Sequence, residues 1–496
     1  VEYLMGIDVG TSGVKAIIID STGKVIASKI ESYDIKVIKK GWMEQEPESW
    51  WNSTKKVVSE LVKETYINKD EIKAISFTGQ MHSSVFLDKD NNVLRPAILW
   101  NDTRTSKQCE EIYDTVGGLD SLLDYVSNPA LEGFTAPKIL WLRENEKGNY
   151  EKLECVLLPK DYIRYKFTKD ISTEMSDAAG TLLYDVKNKR WNSELIKKLN
   201  LKDNIFPKVV KSTDIVGNID KEVAKELGLS EKTLIVAGGA DNACAAIGSG
   251  IVENSKAVLS IGTSGTIVAY TDKNSIETKG NLHFFNHACN DSWYIMTVML
   301  SAGMCFKWLK KNILKTAKSY DELTDMASES CPGSNGVIFV PYLFGERSPH
   351  PDPNAKSMFY GLSSNTNNKD IIRSVLEGVS LGFRDCLASI ENSVDIEEIR
   401  ITGGGANSQL WVSIMADVLN KEISLINIQE GPAFGAAIIA GVGSGIFEDF
   451  KSILDKSVKV TKTVKPNKDN AKLYEKYYQI YTLLYDNLKE CNKLLN

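Results

Sequence analysis

Residues 7–18 read IDVGTSGVKAII, and residues 259–270 read LSIGTSGTIVAY. The same Gly-Thr-Ser-Gly turn between two apolar runs, written twice half a chain apart, constrains the fold more than any other feature. Each run is short and ends in turn residues, so each copy predicts a strand–turn–strand hairpin. The first copy extends into three strands over 3–9, 14–19 and 24–32, joined by GTSG and DSTGK. The second restarts the pattern over 257–261 and 265–270. A repeat on this spacing predicts two related domains in tandem, 1–248 and 249–496, with the join near 246–256.

After each hairpin, strand and helix patterns alternate. IKAISFTGQMH reads as strand then loop, and AILWNDTRTSKQCEEIYDTV as strand, loop and helix. LIVAGG followed by DNACAAIGSG reads as buried strand then helix, and EEIRITGGGANSQLWVSIMADVL as strand, glycine turn and helix. This alternation predicts an α/β protein with helices against mixed sheets. The chain ends in an amphipathic helix over 468–495, whose apolar stripe is Leu473, Tyr477, Ile480, Tyr481, Leu484 and Leu488. Which domain that helix packs against stays open. A net charge of −6 argues against a dedicated nucleic-acid binder. No apolar run approaches the ~20 residues of a membrane span, and no basic leader precedes YLMGIDVG. Eight cysteines without a CxxC pair predict reduced thiols and a cytoplasmic protein. His283 and His287 stand four apart in HFFNH, but the stretch reads as strand, so a metal pair is not expected there.

One isolated GTSG would be a plain hairpin. Two copies in equivalent places can face each other and grip one polyphosphate from opposite sides. Gly10 and Gly13 let the backbone turn and a ligand approach, Thr11 and Ser12 add hydroxyls, and Lys15 adds a point charge for phosphate. A third element, ITGGGANSQLW over 401–411, places three glycines between a strand and a helix, which suits a nucleotide. It is not a GxxxxGK[ST] loop, and it lacks the GxGxxG pattern of a dinucleotide site. Asp8 ends the first strand where the second copy has Ser260. A carboxylate there can hold Mg²⁺, directly or through water, so one copy would carry the metal and the other would only grip. Asp241 opens the helix after LIVAGGA. It reads equally as a helix N-cap and as a base for a substrate hydroxyl.

The segments GIDVGTSGVK (6–15), GQMH (79–82), FTAPKILWLREN (134–145), LPKDYIRYKFT (158–168), SDAAGT (176–181), GGADNA (238–243), LSIGTSG (259–265) and PYLFGERSPHPDPNAKSMFYGL (341–362) occur in an order that resembles the FGGY carbohydrate kinases. The resemblance runs from residue 3 to about 445. It implies two ribonuclease-H-like domains, of the actin, chaperone and sugar-kinase type, around a deep catalytic cleft. It also implies transfer of the γ-phosphoryl group of ATP to a sugar, with Mg²⁺. QMH, WND, LPKDY and MSDAAGT are most similar to members acting on D-xylulose, so the expected products are D-xylulose 5-phosphate and ADP. The alternatives are another ketose such as ribulose, an alditol such as glycerol, or a sugar acid such as gluconate. A chaperone-like or non-catalytic ATPase of the same fold ranks lower, because the sugar-side and base motifs are both present.

By the same resemblance Asp241 is the general base; Asp8 joins it in the chemistry through the Mg²⁺ that its strand-end carboxylate can hold. Met81, His82, Asp241 and Asn242 contact the sugar, with Gln80, Asn101 and Arg104 beside them. Thr11, Lys15, Gly262, Thr263, Gly303, Gly404, Gly405 and Asn407 contact ATP, and Ser12 joins them through the hydroxyl it adds to the first turn. Taken alone, His82 could be a structural histidine, and Trp100, Asn101, Asp102 and Arg104 could form a local turn with a salt bridge. Ser83 stands where D-xylulose-type members usually have Gly, and Ser357 where many members have Gly. Glu346 and Arg347 have no chemical role in this reading. Analogy within the family adds a homodimer and neither nucleic-acid nor membrane partners.

Overall fold

The computed structural model describes residues 2–495, so the outermost residues of the two predicted domains, 1 and 496, lie outside the described residues. Two mixed sheets organise it. In the first, β1 (Tyr3–Val9), β2 (Gly13–Asp20) and β3 (Val25–Ser32) form an antiparallel meander. β4 (Ile72–Gly79) runs parallel to β1, and β5 (Ile215–Asn218) and β6 (Leu234–Ala240) complete the order β5-β6-β4-β1-β2-β3. The second contains β7 (Lys256–Ile261), β8 (Gly265–Thr271), β9 (His283–Asn286), β10 (Trp293–Met299), β11 (Glu398–Thr402), β12 (Ile423–Ile426) and β13 (Val460–Val464). Its order is β9-β10-β8-β7-β11-β12-β13.

Without their edge strands the two sheets share one plan. β3-β2-β1-β4-β6 and β10-β8-β7-β11-β12 have the same order and the same strand directions. The register makes Asp8 and Ser260 counterparts. Asp8 pairs with Lys15 on β2 and Thr78 on β4, and Ser260 pairs with Thr266 on β8 and Thr402 on β11. The central strands are apolar on both faces because both faces are covered. Along β1 and β2, Leu4, Ile17 and Ile19 face one core while Met5, Ile7 and Ile18 face another.

Five helices matter for the site: α1 (Asp241–Gly248), α2 (Gly303–Trp308), α3 (Asn368–Glu391), α4 (Gly431–Gly443) and α5 (Lys468–Leu494). α4 follows the second sheet in the chain, yet it packs on β1, β4 and β6 of the first sheet and along α1. The crossing is backbone to backbone. A Cβ at Gly435 would lie 1.9 Å from the Cys244 carbonyl oxygen, and one at Gly6 would lie 2.0 Å from that of Ala433.

α5 packs on the second half, against the helix Gln409–Leu419. Its buried face is Ala471, Tyr474, Tyr481, Leu484 and Asn492, which corrects the predicted stripe: Leu473 and Tyr477 are only half-buried and Ile480 is exposed. Tyrosines take the inner positions because their hydroxyls find buried partners. Tyr474 donates to Glu377 at 2.6 Å, Tyr478 to Asp385 at 2.9 Å and Tyr481 to Tyr342 at 2.9 Å. All eight cysteines are free thiols, and Cys331 and Cys491 are the exposed ones. Among the described residues no helix is long and apolar enough to cross a membrane.

Candidate active site

The first GTSG turn is braced from behind. Gly10 N donates to Gly13 O at 3.0 Å, and the Tyr33 hydroxyl donates to Gly10 O. Gln45 Nε2 donates to Thr11 O at 2.8 Å, and Tyr33 N to Ser12 O at 3.1 Å. With three successive carbonyls drawn into the protein, the opposite side of the turn is the side suited to an anion. Trp100 Nε1 donates to Thr11 Oγ1 at 2.9 Å, while Ser12 is exposed. Beside the turn, Asp8 has a buried Oδ1 with no hydrogen-bond partner. Burial pushes its carboxyl up to about 6, against the pull of Lys15 across the strand pair.

The second turn rests on the start of α2. Gly303 N donates to Gly262 O at 2.9 Å, and Ala302 N and Met304 N donate to Thr263 O at 3.1 and 3.0 Å. A Cβ at residue 303 would lie 2.5 Å from Gly262 O, so glycine is what lets the helix reach the turn. The Gly303 N–H is therefore engaged within the protein. Next to this turn opens a cavity of about 720 Å³, lined in part by Ser260, Thr402, Gly403, Asn407, Asn242 and Gly431. Gly404 is exposed near its rim, whereas Gly405 is buried, where a Cβ would meet the Ile261 side chain at 2.5 Å. Gly405 thus supports the turn from beneath.

Asp241 owes its place to a bulge. Gly238 has φ 93°, and a Cβ there would lie 2.0 Å from Phe77 O. The register of β6 against β4 shifts between Val236 and Gly239, and α1 begins directly after β6. The N-cap position belongs to Ala240, so Asp241 is the first residue inside the helix, which removes its N-cap reading. Its Oδ1 accepts from Asn242 N at 2.7 Å and Asn242 Nδ2 at 2.9 Å. Burial pushes the carboxyl up to about 7, and the nearby charge of Asp8 adds to the rise. The backbone ahead of it is fixed by a buried chain. Ala240 N donates to Ser176 Oγ at 2.9 Å, Ser176 Oγ donates to Glu174 at 2.8 Å, and Lys160 Nζ lies 3.4 Å from Glu174.

The same segment sets His82. Its Nδ1 lies 2.6 Å from Gly180 O, and a carbonyl only accepts, so Nδ1 carries the hydrogen. Burial holds the ring's pKa down to about 3, so the imidazole is neutral and Nε2 is a bare acceptor. His82 has φ 66°, and Ser83 N bonds back to Met81 O at 2.7 Å, which closes a tight three-residue turn. Met81 Sδ lies 3.6 Å from Asn242 Nδ2, so this turn touches the helix that carries Asp241. Beyond His82 is a narrow cavity shared by both halves, with Trp100 and Phe134 from the first and His283, Phe285 and Arg347 from the second.

Two of the residues expected at the sugar, Gln80 and Arg104, are engaged with protein partners. Gln80 is buried, donates to Gln45 Oε1 at 3.3 Å and accepts from Ser83 Oγ at 3.0 Å. The Arg104 side chain is fully buried, paired with Asp102 at 2.7 Å and Glu44 at 2.8 Å, with its guanidinium 3.9 Å from the Trp42 ring centroid. That is the local salt-bridge alternative, and it leaves no donor in the cleft. Asn101 is half-buried, with a buried Oδ1 that has no hydrogen-bond partner. Ser83 Oγ also accepts from Trp100 N at 3.0 Å, so the hydroxyl at this position ties the His82 turn to the strand end before Trp100. Ser357 Oγ donates to Val340 O at 2.6 Å. Glu346 accepts from the backbone N of Leu300 and of Arg347, both at 2.8 Å. Gly180, Ser176 and Lys160 escaped the reading of single motifs because their partners lie far away in the chain. MSDAAGT was a visible signal, but nothing in it reveals which atoms it holds.

The orphaned Asp8 Oδ1 is a fit for a hard cation. Among the described residues no cluster of three or more His, Cys, Asp or Glu could cage a metal. Mg²⁺ commonly takes one or two carboxylates and completes its shell with phosphate oxygens and water, which this donor set allows.

Residues 3–248 match the N-terminal domain of the FGGY family of carbohydrate kinases, and residues 257–444 match its C-terminal domain. The chain is 40% identical over 490 residues to the xylulose kinase of Staphylococcus epidermidis, covering 99% of this chain and 97% of that protein. It superposes on a xyloylose kinase from Brucella ovis with TM-score 0.93 at 32% identity, covering 99% of this chain and 100% of the other. A gluconate kinase from Lactobacillus acidophilus superposes with TM-score 0.95 at 26% identity, with both chains fully covered.

Proposed function

The chain belongs to the FGGY family of carbohydrate kinases, and on that premise we propose that it transfers the γ-phosphoryl group of ATP to D-xylulose, giving D-xylulose 5-phosphate and ADP. The observation that carries this reading is the pair of half-buried carboxylates, Asp8 beside the first GTSG turn and Asp241 at the start of α1, close enough to repel each other. The full-length likeness to a xylulose kinase supports the choice of sugar.

In this proposal the sugar lies along Met81, His82, Asp241 and Asn242. The neutral His82 accepts a hydroxyl proton in a hydrogen bond and does not titrate near neutral pH. ATP lies in the cavity beside the second turn. Thr11, Ser12 and Lys15 meet its phosphates from one side, and Gly262 and Thr263 meet them from the other. Gly404 and Asn407 border the nucleoside, while Gly303 and Gly405 act by seating the turns. Asp241 takes the proton of the attacking hydroxyl, and a carboxyl near neutrality suits a base working near pH 7. Asp8 would hold Mg²⁺, which offsets negative charge on the phosphoryl group. Approach of the two halves excludes water, the competing acceptor. We assign 1–248 to the sugar side and 249–496 to the nucleotide side, in a cytoplasmic homodimer.

ADP release measured across D-xylulose, ribulose, hexuloses, glycerol and gluconate tests the substrate. D-xylulose should give the highest kcat/KM. A higher value for any other member of the panel overturns the assignment of the sugar.

A further inference from the structure

The narrow cavity beyond His82 measures about 20 Å³, room for roughly one water-sized group. Its walls are apolar, with aromatic rings from Trp100, Phe134 and Phe285, apart from three polar side chains, His82, His283 and Arg347. Arg347 is half-buried; the carboxylates of Glu132 and Glu346 are near enough to favour its charge, but among the described residues none hydrogen-bonds or ion-pairs with its guanidinium. Its neighbour Glu346 is engaged with backbone N–H groups. Both histidines are held neutral by burial, with the charge of Arg347 contributing. His283 Nδ1 is buried without a partner. A guanidinium at the wall of a confined site, with N–H donors not committed to any protein acceptor, is free to hydrogen-bond a ligand oxygen.

We propose that this cavity is a socket for the sugar's terminal hydroxymethyl group remote from Asp241, and that Arg347 is the specificity-determining residue that holds it. A hydroxyl in the socket donates to the bare His82 Nε2 and accepts from the Arg347 guanidinium, which matches both sides of its hydrogen-bonding capacity. Asp241 does not line the socket, so the sugar lies between the two with its acceptor hydroxyl at Asp241. The cavity has room for the terminal hydroxyl and little more, so a sugar extended by a further carbon at the far end would meet its walls. Arg347 comes from the second half and His82 from the first, so a seated sugar also bridges the halves. The inference rests on the kinase reading and, for a ketose phosphorylated at one terminus, places the hydroxyketone end in the socket.

The test is steady-state kinetics of Arg347→Gln and Arg347→Lys with the best sugar of the wild-type panel and with its analogue lacking the hydroxyl at the far terminus. Arg347→Gln should raise the sugar KM at least tenfold, with kcat within threefold, ATP KM within twofold and thermal midpoint within about two degrees of wild type. Arg347→Lys should fall between. Wild type should discriminate strongly against the deoxy analogue, and Arg347→Gln should lose most of that discrimination. An unchanged sugar KM, or undiminished discrimination in Arg347→Gln, overturns the socket. A best substrate other than D-xylulose overturns the named sugar and leaves this test intact, because the test uses the best sugar found.

Discussion

At the residue scale, the two carboxylates are set for chemistry at the expense of stability. The Asp241 carboxyl sits at about 7 in the folded protein, against an ordinary value of 3.8. A carboxyl raised in this way favours the fold most below its unfolded value, and that contribution is lost as pH rises through about 4 to 7. Asp241→Asn should therefore melt higher than wild type at pH 8, with the gap closing toward pH 4, as thermal melts would record. The same substitution should lower kcat by about 10²–10⁴-fold, the usual contribution of general-base catalysis, with ATP affinity nearly unchanged. The pH profile of kcat/KM for the sugar should rise through about 7 as Asp241 ionises. Because the charge of Asp8 contributes to that rise, the residual activity of Asp8→Asn should show its ascending limb at lower pH. An unmoved limb would mean that the two carboxylates are not coupled. Of these residues, Asp8 and Asp241 were legible as strand-end and helix-start acids. The salt bridge of Arg104 to Asp102 was open to a local reading, but its second bond, to Glu44, was not, since it depends on a strand sixty residues upstream in the chain.

At the element scale, small residues decide how the halves meet. Gly435 on α4 and Cys244 on α1 touch through their backbones, and a methyl group at 435 would lie 1.9 Å from a carbonyl oxygen. Gly435→Ala should cost about 1–3 kcal/mol by overpacking, read as a lower midpoint in denaturant unfolding. Gly404→Ala, with nothing within 4 Å of the added atom, should leave stability almost unchanged. Equal effects of the two would refute the crossing as a tight contact. Hairpins and the strand-to-helix alternation were readable because their patterns are local. The inner face of α5 was not, because hydropathy undervalues a tyrosine whose hydroxyl is satisfied, as for Tyr474 on Glu377. MSDAAGT was visible as a motif, yet its work is done on Gly180 O and Ser176 Oγ, which hold His82 and the backbone before Asp241.

At the scale of the whole molecule, the halves are alike in plan and unlike in charge. Closure around both substrates is the expected motion, and X-ray scattering should show a smaller radius of gyration with sugar and a nonhydrolysable ATP analogue together than with either alone. A radius that does not change with both bound would count against a water-excluding closure. By itself the sequence determined the duplication, the α/β class, the placement of an acid in one copy and a serine in the other, and membership in the family. These follow from periodicity, turn chemistry and ordered motifs, all carried by residues near one another in the chain. Only the tertiary structure decided that α4 belongs to the first sheet by packing, that His82 is a neutral acceptor, that Gln80 and Arg104 turn away from the cleft, and that Arg347 reaches a cavity shared with His82. The reason is physical: burial, tautomer and pairing are set by groups brought together from distant parts of the chain, and no local pattern encodes which groups will meet.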